Sequence, residues 1–275
     1  MRGDPKIIHF LDGYLQESAP KAIDRLMPGV LNGPGMFETM RTVKGDVFLL
    51  EQHLKRLTRG LELIGLKNPF SPSRWWTVIQ KTMDANHLKE ARVRLMVWQE
   101  GAYEECSVIA RPLILPSAAV YRKGYNLSIN DAARPVTLLS NVKSTDYGFF
   151  LHAYEQARVK LCEDAVILSP EGHVVECSRS NIFWVCNKAL FTPSLATGCL
   201  SGVTRQAVLN IARQQGIKTS NVKAPLKTLL SFDAAFLTNS IIGVMPVRSI
   251  DGQKMNVNDP IMRLLRKEYE KLLRS

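Results

Sequence analysis

Lys143 is the first residue of the sequence that could carry chemistry. It lies in a polar loop, residues 138–147, just before a segment with the pattern of an amphipathic helix. In an enclosed site the charged form of a lysine is poorly solvated, so its pKa falls and its amine can act as a nucleophile or form a Schiff base. A solvated lysine beside a helix cap, here Asp146, explains the same pattern and is favoured when the segment is taken alone.

Glu176 is the second candidate. It lies near the end of a predicted strand, residues 173–177, and small hydrogen-bonding side chains follow it. Strand alternation predicts Val175 and Cys177 on one face and Glu176 on the other. A carboxylate among buried strands needs a cation or hydrogen-bond donors, because an unpaired buried charge is costly. An exposed glutamate at a hairpin turn is an equally good interpretation.

Two further segments could bind an anion. Residues 200–205 open a predicted helix, and free N–H groups at a helix start bind phosphates, which a glycine such as Gly202 lets approach closely. N-capping by Ser201 explains these residues too and is favoured for the segment alone, with Arg205 expected to reach solvent. Arg56 follows His53 by three residues on one predicted helix face. A guanidinium suits bidentate phosphate contact, but Arg56 alone is typical of a solvated helix.

The elements that must position these residues form two mixed halves. The N-terminal half predicts strands at 6–11, 36–42, 46–50, 93–97 and 108–115, and helices over 50–64 and from Ser73. The C-terminal half predicts strands at 126–129, 165–168, 173–177, 182–186, 189–191, 234–238 and 244–247, and helices at 147–161, 203–215 and 260–273. Residues 116–119 are the predicted linker. We therefore expect two domains that mix α and β structure, residues 1–117 and 122–275.

Composition limits the function classes. The chain has 275 residues, 45% of them hydrophobic, and a net charge of +11, which favours anionic ligands. Its basic residues are scattered, so nucleic-acid binding is not expected. No apolar run reaches the roughly 18 residues that cross a bilayer. The five cysteines and five histidines form no metal-binding pattern, which predicts a cytoplasmic protein without a metal site, disulfide framework or membrane anchor.

The order of these segments resembles a known family. The blocks 37–41, 51–57, 175–183 and 200–205, with Lys143 between the second and third, are similar to the class IV pyridoxal-phosphate enzymes. The family includes branched-chain and D-amino-acid aminotransferases and 4-amino-4-deoxychorismate lyase. The likeness runs from about Phe10 to about Val247. It implies the two-domain α/β fold of the D-amino-acid aminotransferase type, with pyridoxal 5'-phosphate between the domains, and a homodimer.

The resemblance also implies a role for each matching residue. Lys143 takes the position of the lysine that forms the Schiff base and carries the proton. Glu176 matches the carboxylate that pairs with the pyridine nitrogen and keeps the ring protonated. The phosphate contacts fall on four residues: Arg56, Val203, Thr204 and Ser240.

The resemblance favours the lyase, which forms 4-aminobenzoate and pyruvate. The segment 239–247, Asn-Ser-Ile-Ile-Gly-Val-Met-Pro-Val, and the pair Glu176-Cys177 with Phe183-Trp184 are similar to the lyase. Glu100-Gly101 stands where D-amino-acid enzymes have Arg-Gly, and Gly33-Pro34-Gly35 where many members have Gly-Asp-Gly.

Two other functions stay open. One is an amino-acid aminotransferase, for branched-chain or D-amino acids, since one fold hosts several activities. The other is a non-enzymatic protein that binds anions or nucleic acid. The substrate is expected to be a small molecule with amino and carboxylate groups. Three residues are candidates for contacting it: Phe37, Asn239 and Arg94.

Overall fold

The computed structural model describes residues 6–11, 13–18, 35–100, 102–232 and 234–274, without the side chain of Glu100. Two features discussed above, Gly33-Pro34 and Gly101, lie outside these residues. The chain divides into two compact units. The first comprises Met1–Ile114 and Val142–Asp146, and the second Leu115–Asn141 and Tyr147–Ser275.

The first unit is built on an antiparallel sheet whose described strands follow the order β2-β1-β6-β5-β3-β4. The strands are β1 (Ile7–Leu11), β2 (Tyr14–Ser18), β3 (Gly35–Val43), β4 (Asp46–Val47), β5 (Ala91–Glu100) and β6 (Tyr103–Pro112). Helices α1 (Leu50–Leu63) and α2 (Pro72–Ala85) follow β4.

Both helices form for local reasons that the sequence shows. Leu54, Leu57 and Leu61 recur every three or four residues on α1 and are buried, because this spacing makes one apolar stripe. Helix α2 begins with Pro72, and the Ser71 side chain accepts a hydrogen bond from the backbone of its first turn.

The second unit is built on a mixed sheet in the order β12-β11-β10-β13-β14-β7-β8-β9, with β15 beside β14. The strands are β7 (Tyr125–Ile129), β8 (Asp164–Leu168), β9 (Val174–Cys177), β10 (Asn181–Cys186), β11 (Ala189–Pro193), β12 (Thr219–Val222), β13 (Ala234–Asn239), β14 (Gly243–Ile250) and β15 (Gln253–Lys254). The pairs β14–β7, β7–β8 and β11–β12 are parallel and the others antiparallel.

The helices of the second unit are α3 (Ala118–Lys123), α4 (Gly148–Val159), α5 (Val203–Gln214), α6 (Leu226–Leu230) and α7 (Pro260–Arg274), with a 3-10 turn at Leu195–Thr197. A core containing Trp184, Met245 and Val247 fills one side of the sheet. Ala153 and Ala157 of α4 pack in a separate cluster with Ile167. In the part of the chain that the structure describes, no helix has both the length and the hydropathy needed to cross a membrane.

Some elements differ from the expected ones. The predicted linker contains the start of α3, whose backbone is capped by the Ser117 side chain, and the boundary between the units falls at Ile114. Strand β2 is largely exposed, and β12, with the sequence Thr-Ser-Asn-Val, is short and polar. Neither strand carries the apolar alternation from which a strand is predicted.

The segment Val142–Asp146 pairs with the first residues of β3. The Phe37 amide donates to the Lys143 carbonyl at 2.9 Å, and the Thr145 amide donates to the Gly35 carbonyl at 2.8 Å. The Gly35 amide donates in turn to Thr145 Oγ1 at 3.0 Å. These bonds explain why the segment belongs to the first unit, although the sequence analysis places it in the domain 122–275.

Gly35→Ala should destabilise this pairing. A Cβ at Gly35 would lie 2.9 Å from the Val97 carbonyl oxygen, 3.0 Å from Trp98 Cβ and 3.2 Å from Thr145 Cγ2, so backbone must shift. We expect a loss of about 1–3 kcal/mol of unfolding free energy in urea titrations. Gly148→Ala is the control, because nothing lies within 4 Å of its Cβ position. Equal stability of the two variants would contradict this account.

Candidate active site

Lys143 lies against the ring of Phe37. Its Nζ is 4.5 Å from the ring centroid, and the guanidinium carbon of Arg94 is 5.0 Å from the same centroid. Phe37 and Arg94 occupy the same face of the sheet, since Phe37 pairs with Met96 and Thr39 with Arg94. The structure therefore brings together three residues that the sequence analysis selected.

Glu38 occupies the other face of β3 and binds Arg56 and His53. Arg56 donates from Nε to Oε1 at 2.8 Å and from Nη2 to Oε2 at 2.6 Å. His53 Nδ1 lies 2.7 Å from Oε2. Glu38 and His53 are fully buried, and the Arg56 side chain is 10% exposed. The sequence analysis quoted Glu38 within a motif but gave it no role, although it placed His53 and Arg56 on one helix face.

The ionisation of this cluster follows from its contacts. Burial alone would raise the pKa of Glu38, but the charges and hydrogen bonds of Arg56 and His53 outweigh it and lower the pKa to about 2. Burial lowers the pKa of His53 and outweighs the opposing effect of the Glu38 carboxylate, while Arg56 and Lys143 add to the lowering. At neutral pH Glu38 is therefore an anion that accepts from the neutral His53 ring.

Glu176 is buried among donors. Its Oε2 accepts from the Leu200 amide at 3.0 Å and lies 3.5 Å from Asn181 Nδ2, and its Oε1 is 3.6 Å from Arg134 Nη1. The cation and donors that a buried carboxylate requires are thus present. Arg134 also donates to the Gly198 carbonyl at 2.7 Å. The sequence analysis did not identify Arg134, because no local spacing relates it to β9.

A bulge in β9 alters the predicted alternation. Glu176 pairs with Ile167, but Val174 pairs with Leu168, so Val175 is left without a paired position. Val175 packs in the cluster of Ile167, and Cys177 packs in the core around Trp184. The expectation that Val175 and Cys177 share a face of the sheet is therefore wrong. The expectation that Glu176 and Cys177 lie on different faces is confirmed.

Helix α5 begins at Val203, with Gly202 as its N-cap residue, and Thr204 is 3% exposed. The N-cap position is thus occupied by Gly202 and not by Ser201, the residue predicted to cap the helix. A Cβ at Gly202 would collide with Asn181 Oδ1, which is why a glycine stands there. The backbone N–H groups at the start of α5 could therefore bind an anion, as predicted for this segment.

Arg205 is buried, contrary to the expectation that it reaches solvent. Its Nη2 donates to the Pro193 carbonyl at 2.9 Å and to Asn221 Oδ1 at 3.0 Å, and burial lowers its pKa. These contacts tie α5 to β11 and β12. Arg205 thus fixes the helix whose first residues, Val203 and Thr204, were selected as phosphate ligands.

Asn239 shapes the turn that carries Ser240. Its Oδ1 accepts from the backbone amides of the two residues after Ser240, both at 2.9 Å. Its Nδ2 donates to the Arg179 carbonyl and to Ser180 Oγ, both at 3.2 Å. Both amide hydrogens are thus directed at the protein, which corrects the expectation that Asn239 donates to a substrate.

Comparison with known proteins decides the family. The family model described as amino-transferase class IV matches residues 35–250. The chain belongs to the class IV aminotransferase family. It is therefore a pyridoxal-phosphate-dependent enzyme, and the predicted family, two-domain α/β fold and cofactor are confirmed.

The chain is similar to relatives with two different activities. A probable branched-chain-amino-acid aminotransferase of Rickettsia conorii is 30% identical, and the aligned region covers 87% of this chain and 86% of the relative. An aminodeoxychorismate lyase of Bacillus subtilis is 24% identical, and the aligned region covers 96% of this chain and 95% of the lyase. A branched-chain aminotransferase from Thermoproteus uzoniensis, whose crystal structure was determined with norvaline, is 27% identical in sequence. Its structure aligns with a TM-score of 0.86, over 98% of this chain and 95% of the aminotransferase chain.

The described residues fit this cofactor. A helix start with a glycine at its N-cap position suits a phosphate, and a buried carboxylate held by donors, Glu176, suits a protonated ring nitrogen. The primary amine of Lys143 suits an aldehyde, with which it can form a Schiff base. Among the described residues no group of three His, Cys, Asp or Glu side chains could hold a metal ion.

Glu38→Gln should reduce stability in a pH-dependent way. Lowering the pKa of Glu38 from 4.5 to about 2 corresponds to about 3 kcal/mol of stability above pH 4.5, which is lost as the pH falls through 2. Urea unfolding should show wild type more stable than the variant at pH 7, with the difference shrinking towards pH 2. Glu51→Gln, at an exposed position on α1, should change little. A difference independent of pH would refute this ionisation.

Proposed function

We propose that the protein converts 4-amino-4-deoxychorismate to 4-aminobenzoate and pyruvate. The observation that carries this proposal is the arrangement of the Lys143 amine and the Arg94 guanidinium against the single ring of Phe37. The substrate is a cyclohexadiene that carries an amine, one carboxylate on the ring and a second carboxylate on its enolpyruvyl ether. The Phe37 ring would contact the substrate ring, the Arg94 guanidinium would bind a carboxylate, and the Lys143 amine would be placed beside the reacting carbon.

Three sets of residues would hold the cofactor. Lys143 would bind it covalently through Nζ, and Glu176 would face its ring nitrogen. Val203 and Thr204, at the start of α5, would donate to its phosphate. Arg56 and Ser240 complete the proposed phosphate contacts. When bound, the cofactor supplies an aldehyde for the substrate amine and a protonated ring that accepts electrons.

The chemistry of the chain itself would be proton transfer. Once its Nζ is released as a free amine, Lys143 removes the proton from the ring carbon that bears the substrate amine. Aromatisation then breaks the bond to the enolpyruvyl oxygen, and Lys143 returns a proton to the departing pyruvate. Glu176 would favour the protonated ring nitrogen of the cofactor, and Arg134 Nη1 lies 3.6 Å from the carboxylate Oε1.

A second candidate is an amino-acid aminotransferase. The relatives from Rickettsia and Thermoproteus bear branched-chain aminotransferase names. Arg94 would serve such an enzyme equally well if its amino donor carried a side-chain carboxylate. We favour the lyase because the segment 239–247 is similar to it and because Phe37 lacks the hydroxyl that many aminotransferases have at this position.

We also propose that two chains form a homodimer. The resemblance to the class IV enzymes implies this assembly, and the second unit exposes large apolar side chains that a second chain could cover. Leu138, Val159 and Leu161 are at least 73% exposed. Light scattering on the preparation used for the activity assay should therefore give the molar mass of two chains.

Product analysis tests the proposed reaction. The holoenzyme should release 4-aminobenzoate and pyruvate in equal amounts from aminodeoxychorismate, without an added keto acid. Arg94→Met should lower kcat/KM by about 10- to 100-fold, because a charged hydrogen bond is lost. Arg158→Met, at an exposed position of α4, is the control. Steady amino transfer from L- or D-amino acids without 4-aminobenzoate would overturn the lyase in favour of the aminotransferase.

A further inference from the structure

We infer that Glu38, assisted by His53, is a positioning residue that aims the Arg56 guanidinium at the cofactor phosphate. The inference rests on the proposed phosphate role of Arg56 and adds a determinant of that role. Glu38 follows Phe37 on β3 and therefore lies on the opposite face of the strand. Its carboxylate binds Arg56 of α1, so any effect of Glu38 on the phosphate would be exerted through the Arg56 side chain.

The contacts of Glu38 fix the plane of the guanidinium. The carboxylate takes Nε and Nη2 as a bidentate pair, at 2.8 and 2.6 Å. An arginine side chain has many rotamers, and such a fork-to-fork contact selects one of them. The edge of the guanidinium that carries Nη1 is left facing away from the carboxylate. A phosphate would approach this edge.

His53 holds Glu38 itself in place. Its Nδ1 binds the same Oε2 that receives Arg56 Nη2, at 2.7 Å, and the ring is 2% exposed. His53 and Arg56 lie three residues apart on one face of α1. The carboxylate is thus held by two side chains of the helix and is itself anchored in β3. Helix and strand cannot move relative to each other without breaking these bonds.

Charge and position predict opposite effects for one substitution. A carboxylate near a phosphate repels it, so Glu38→Gln would strengthen phosphate binding if charge alone mattered. If Glu38 aims Arg56, the same variant weakens phosphate binding, because an amide offers one acceptor and one donor to a guanidinium that only donates. The direction of the change therefore separates the two explanations.

The experiment compares pyridoxal phosphate with pyridoxal, which lacks the phosphate. Both are titrated by absorbance into the full-length chain freed of cofactor, and both can bind Lys143. For Glu38→Gln we expect the Kd for pyridoxal phosphate to rise about tenfold, because one charged contact is lost. The Kd for pyridoxal should stay within about twofold of the wild-type value. Glu51→Gln, whose exposed side chain pairs with Lys55, should change neither.

Three outcomes would overturn the inference. They are tighter binding of pyridoxal phosphate by Glu38→Gln, an equal loss for both ligands, and no change. His53→Asn is the second variant if Glu38→Gln fails to fold, with an expected loss of about threefold confined to pyridoxal phosphate. Arg56→Ala is measured alongside. If it leaves the Kd for pyridoxal phosphate unchanged, the proposed phosphate role of Arg56 fails, which is a separate result.

Discussion

The pairing of Val142–Asp146 with the edge of β3 is the interaction on which the proposed site depends. Residues on both sides of this segment belong to the second unit, but its backbone bonds join it to the first. Gly35 makes the approach possible, since Val97, Trp98 and Thr145 surround its Cα closely. The pairing delivers Lys143 to the ring of Phe37.

Strand β3 thereby serves two purposes with neighbouring residues. Phe37 on one face carries the contacts of Lys143 and Arg94, while Glu38 on the other face binds Arg56. Because strand side chains alternate, groups for two different tasks lie one residue apart. In the second unit the Leu200 amide connects Glu176 to the segment before α5, so the proposed ring and phosphate contacts are also linked there.

Elements with strong local sequence patterns could be predicted. Features that depend on contacts between residues remote in the sequence could not. The leucine stripe of α1 and the stop of α5 before Gly216 are local signals, and both helices form where expected. The bulge at Val175 and the burial of Arg205 depend on strands remote in sequence. Lys143 and Glu176 could be selected from the sequence because they stand in motifs, and their roles stay predictions. Arg134 was missed because its contact with Glu176 is made only in the folded chain.

The covalent attachment of the cofactor tests the central claim most directly. The holoenzyme is reduced with borohydride and digested, and the labelled peptide is identified by mass spectrometry. The account predicts label on Lys143 and none on Lys143→Arg, because the pairing with β3 places this lysine on Phe37 and Schiff-base formation requires its amine. Label on another lysine of the wild-type protein, or a protein that takes up no pyridoxal phosphate, would contradict it.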